Sequence, residues 1–123
     1  MKDNILGIIL LALLIVGSSD VMAQTAKEAA MERDMSVAYF CSEMYKHYGA
    51  SSNFYPKELF EIGVAMRKAT DTAAEIAGLV GDSMIIHSQA AMKFVEMRDN
   101  LPPTIPYQLD TTCTYMAGIL GVL

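Results

Sequence analysis

Residues Lys27–Tyr48, KEAAMERDMSVAYFCSEMYKHY, decide the fold. The first half is rich in Ala, Glu, Met, Arg and Lys, which lose little side-chain freedom in a helix. Val37, Cys41, Met44 and Tyr48 then recur at spacings of four, three and four, so one helix face is apolar. Met31, Met35, Ala38 and Tyr45 widen that stripe. The stretch predicts a helix that Gly49 ends.

Working toward the C-terminus, residues 50–55 read as a short loop, and Pro56 suits the first position of a second helix. That helix is expected to reach Ala77, continuous or kinked, with Thr72–Glu75 as a capping box where a restart would fall. Gly78-Leu-Val-Gly81 reads as a turn between helices. It lacks the lysine of a phosphate loop, and Asp82 would repel phosphate. Asp82 or Ser83 is placed to cap a third helix, Met84–Asp99. Its core stripe is Ile86, Ala90, Phe94 and Met97, with Ile85, Met92 and Val95 beside it. Pro102, Pro103 and Pro106 force an extended connector. Asp110 or Thr111 then caps a last helix to about Leu120. No alternating β-branched run is present. The expectation is all-α: a small four-helix bundle-like domain.

The chain has 123 residues, 53% of them apolar and 19% charged, which fits one domain and not a disordered chain. Nine basic residues are scattered among fourteen acidic ones, for a net charge of −5. Nucleic-acid binding needs clustered Lys and Arg, so that partner class is set aside.

Toward the N-terminus, Lys2 precedes an uncharged apolar run from Ile5 to Val16, and Val21-Met22-Ala23 resembles a signal-peptidase site. Residues 1–23 therefore read as a signal peptide and 24–123 as the helical domain. A twelve-residue helix covers about 18 Å, well short of the ~30 Å hydrocarbon core, which favours cleavage over an anchor, and no stable membrane span is expected after cleavage. The competing reading is a retained anchor. The location expected is periplasmic or secreted.

Cys41 and Cys113 are the only cysteines, and an even count in an exported chain predicts one intrachain disulfide, joining the first helix to the last. No Cys-x-x-Cys motif is present for thioredoxin chemistry or covalent haem.

Catalytic constellations are sparse, so no enzyme activity and no cofactor are expected. His47 and His87 are the only histidines and are not spaced as a metal pair. His47, at a helix end, reads as a partner of terminal carbonyls. His87 reads as a surface or satisfied core residue. A Ser88–His87–Asp82 triad is disfavoured, because neighbours on a helix point apart. The alternative to a cofactor-free protein is Cu(I) bound by Met31 and Met35 with His47, since thioether sulfur is a soft ligand; core packing is the plainer role for methionine. Seven of ten aromatics lie between residues 39 and 60. They either build the best-packed end of the core or present a partner surface around Tyr45, Tyr48, Phe54 and Tyr55. The uncharged stretch Tyr115–Leu123 reads as a docked helix pinned by Cys113. Together these features predict an exported binding, inhibitor, immunity or chaperone-like protein whose partner is another envelope or extracellular protein.

Overall fold

A computed structural model describes residues 21–51 and 53–123, with side chains from Ala30 onward. Most of the expected signal peptide therefore lies outside the described residues. Four helices follow one another: α1 (Val21–Ser51), α2 (Glu58–Ala77), α3 (Val80–Arg98) and α4 (Tyr107–Ile119), with no strand among the described residues.

α1, 31 residues long, is the central post. Between Ala30 and Gly49 only Arg33 is exposed, which is why apolar residues crowd more than one of its faces. α2 and α3 flank it, and α4 reaches the bundle chiefly through α1. Two core clusters sit along the post. One joins Met44, Tyr45, Tyr48, Met66, Phe94 and Met116 around the cysteines; the other joins Met35, Tyr39, Ala74, Leu79, Ile86 and Ala90. Phe40 packs against both. Cys41 and Cys113 form the expected disulfide, with Cα atoms 5.4 Å apart. Leu120 and Val122 pack on the first cluster, so the uncharged C-terminus is docked as expected.

Several helix ends differ from expectation, each for a local reason. Gly49 does not stop α1, which runs on to Ser51. Its lack of a side chain serves close approach instead: a Cβ there would sit 2.2 Å from the Phe60 backbone nitrogen. α2 is continuous, and Thr72 donates to the Lys68 carbonyl at 3.0 Å rather than capping a new helix. It ends at Gly78 (φ 76°), where the N–H groups of Gly78 and Leu79 close onto the Glu75 and Ala74 carbonyls. That turn is so short that α3 starts at Val80, ahead of both expected caps; Ser83 donates instead to the Val80 carbonyl at 2.8 Å. α4 likewise starts at Tyr107, straight after Pro106, and not at Asp110.

The α1–α2 crossing depends on Gly63. Ser42 Oγ donates to the Gly63 carbonyl at 2.6 Å, and a Cβ on Gly63 would lie 2.6 Å from the Ser42 carbonyl oxygen and 2.9 Å from the Lys46 nitrogen. These are backbone atoms and cannot swing aside. Gly63→Ala is expected to cost about 1–3 kcal/mol of stability by overpacking. Gly118→Ala, where a Cβ meets nothing within 4 Å, should be neutral or stabilising by up to about 1 kcal/mol. Urea unfolding of both variants measures the contrast.

Candidate functional site

The aromatic-rich segment divides by depth. Tyr45 and Tyr48 are 3% and 2% exposed and belong to the core. Tyr45 Oη shares a 3.5 Å hydrogen bond with Thr114 Oγ1, and burial raises its pKa. Tyr48 donates to the Pro102 carbonyl at 2.8 Å, and burial raises its pKa as well. Tyr55 is half-buried, meets the Tyr48 ring edge-on at 5.6 Å, and accepts the Ile105 N–H at 2.9 Å. Two tyrosine hydroxyls thus brace the proline connector against the end of α1. Of the four residues expected to meet a partner, Phe54 alone is well exposed, at 70%.

Phe54 borders a cavity of about 330 Å³ lined also by His47, Tyr48, Leu101, Pro102 and Pro103. His47 reaches it by stacking edge-on with Tyr48 (5.3 Å) and Phe94 (5.5 Å), a packing role in addition to its place near the helix end. The two proline rings give this cavity, which the exposed phenylalanine also lines, a stiff apolar wall. This surface can grip an apolar or aromatic side chain, with His47 and nearby polar residues to orient it.

A second cleft, about 580 Å³, lies between α2 and α3 and is bordered by Arg67, Asp71, Glu75, Met84 and His87. Tyr39, fully buried on α1, donates its hydroxyl to Asp71, and its ring meets His87 edge-on at 4.8 Å. Burial raises the Tyr39 pKa, and the Asp71 carboxylate adds to the shift. His87 Nε2 lies 3.4 Å from Glu43 Oε2, within ion-pair reach but without hydrogen-bond geometry. Tyr39, Asp71, His87 and Glu43 come from three helices, so no spacing along the chain signals that they meet. Ser88 diverges from His87 by about 100° around α3, whereas Ser83, one turn before His87, donates to the Val80 carbonyl and hydrogen-bonds with Tyr39.

Met31 and Met35 pack with the second core cluster, Met35 as a buried member. His47 lies twelve residues beyond Met35 on the same helix, a separation of about 18 Å. The three are not brought together as one ligand set.

The Cys41–Cys113 bridge fits a non-reducing, oxidising compartment. No helix among the described residues is long and apolar enough to cross a membrane. No protein family, curated protein or solved structure matches the chain.

Proposed function

We propose that the chain is an exported protein-binding domain without catalytic activity, periplasmic or secreted, acting in the manner of an inhibitor, immunity protein or chaperone. Its partner is another protein of the same compartment, gripped between Phe54 and the Pro102-Pro103 wall. The observation that carries this reading is an exposed aromatic ring bordering a cavity that is also lined by a proline connector braced by Tyr48 and Tyr55. A braced surface loses little further freedom on binding, and buried aromatic anchors supply most of the energy in such interfaces.

A photo-crosslinking residue at Asn53 is expected to capture a defined protein in the native envelope or culture fluid. The same probe at exposed Lys68 on α2 is expected to capture none. Phe54→Ala should reduce capture about tenfold or more while moving Tm by no more than a few degrees. Equal labelling from both positions, or capture indifferent to Phe54→Ala, overturns the reading. A large fall in Tm would assign Phe54 to the core instead.

A further inference from the structure

α3 and α4 both rest on α1 but make little contact with each other. Where the three helices meet, they leave a groove of about 300 Å³. Val37 and Phe40 of α1, Ala90 and Met97 of α3 and Leu109 of α4 give it an apolar lining. In the sequence Met97 belongs to the core stripe of α3 with Ile86, Ala90 and Phe94. It is 41% exposed because α4 does not close over it. Ile85, Met92 and Val95, read as neighbours of that stripe, turn outward.

The polar side chains that border the groove are Ser36, Lys93 and Thr112. Each can donate a hydrogen bond, and no acid is among them. Lys93 forms no ion pair among the described residues, not even with Glu96 one turn on. Ala90, Lys93 and Met97 recur at spacings of three and four, so the lysine stem shares a stripe about 10 Å long with the apolar lining. We propose that this groove binds a medium-chain fatty carboxylate, its alkyl chain along the apolar residues and its carboxylate on Lys93. An elongated apolar lining suits an unbranched chain, and one unpaired cation at its edge suits one anionic head. The volume lies at the lower end of small-ligand sites, which fits a single chain and not a two-chain lipid or a peptide helix. Cys41 borders the groove, and its bridge to Cys113 ties α4 to α1 there. The site is therefore formed before a ligand arrives, and little ordering entropy is lost on binding. It shares no residue with the Phe54 cavity, so it is independent of the protein-binding role.

The test uses the chain expressed with its own N-terminus into an oxidising compartment, purified from there and stripped of lipid on a hydrophobic resin. Calorimetric titration with decanoate, below its micelle concentration, is expected to give a single site with a Kd on the order of tens of micromolar. Octanoate and hexanoate should each bind about tenfold more weakly than the acid two carbons longer, because each lost methylene leaves apolar lining wet. Lys93→Met keeps the stem and drops the charge. It should weaken decanoate about fivefold and leave decanol unchanged. Thr112→Trp fills the groove from an exposed position and should abolish binding of both with Tm little changed. No binding of decanoate at about 1 mM overturns the inference. So does an affinity indifferent to chain length, a Lys93→Met effect that is absent or shared by decanol, or binding that survives Thr112→Trp.

Discussion

Replacing the disulfide, as Cys41→Ala/Cys113→Ala, is expected to remove about 4 kcal/mol of unfolding free energy. The bridge joins residues 72 apart in sequence, so it denies the unfolded chain most of its loop-closure freedom. A protein of this size has about 5–15 kcal/mol in total, and the loss takes about a quarter or more of it. The structure adds a reason for the loss to be felt. α4 packs chiefly on α1, so the covalent tie is the main constraint that the pairwise packing of α2 and α3 does not duplicate. Urea unfolding of the parent and the double-alanine variant measures the difference. A loss under about 1 kcal/mol would show that Met116, Ala117 and Leu120 dock α4 on their own.

The second large effect has the opposite sign. Asp34 sits on α1, 7% exposed, and its Oδ2 has no hydrogen-bond partner. Burial pushes its carboxyl from 3.8 up to about 6, with the adjacent Arg33 charge holding part of the shift back. An acid whose pKa is higher in the folded state is more protonated there than in the unfolded chain. The folded form is therefore favoured at low pH, and stability falls as pH rises between about 4 and 6. Above that window the buried carboxylate costs about 3 kcal/mol. Asp34→Asn is expected to raise stability at pH 7 by about 2 kcal/mol, short of the full amount because the amide still needs partners. It should also flatten the slope between pH 4 and 6. Unfolding free energies across that range, parent against variant, decide the matter. A neutral substitution with an unchanged slope would place the ionised carboxylate in contact with water.

These effects were unequally legible in the sequence. The Val37–Tyr48 stripe, the two cysteines and the proline run each carry a local rule, and they yielded the four helices, the bridge and the extended connector. Helix ends failed where tertiary contact overrode a local signal. Gly49 has the residue type of a helix stop but serves a crossing, and Asp82 has that of a cap but falls inside α3. The outward face of α3 was misread because an apolar period says which residues share a face, not whether a neighbour covers it. At the candidate site, the clustering of aromatics was visible, but their depth was not. Tyr45 and Tyr48 point inward because α1 is enclosed by three helices, and Phe54 stays outside because it follows the helix end. The Tyr39–Asp71 bond and the unpartnered Asp34 depend on long-range packing, which spacing along one helix does not encode.

The seating of α4 has a chemical consequence for the bridge it carries. Both sulfur-bearing residues have no exposed surface. Thiol–disulfide exchange requires a thiolate to reach a sulfur atom directly. While α4 is docked, small reductants have no line of attack, and the bridge in turn keeps α4 from lifting away. Each protects the other. The native cross-link is therefore reduced only through conformational opening, at a rate that rises with reductant until it levels off at the opening rate itself.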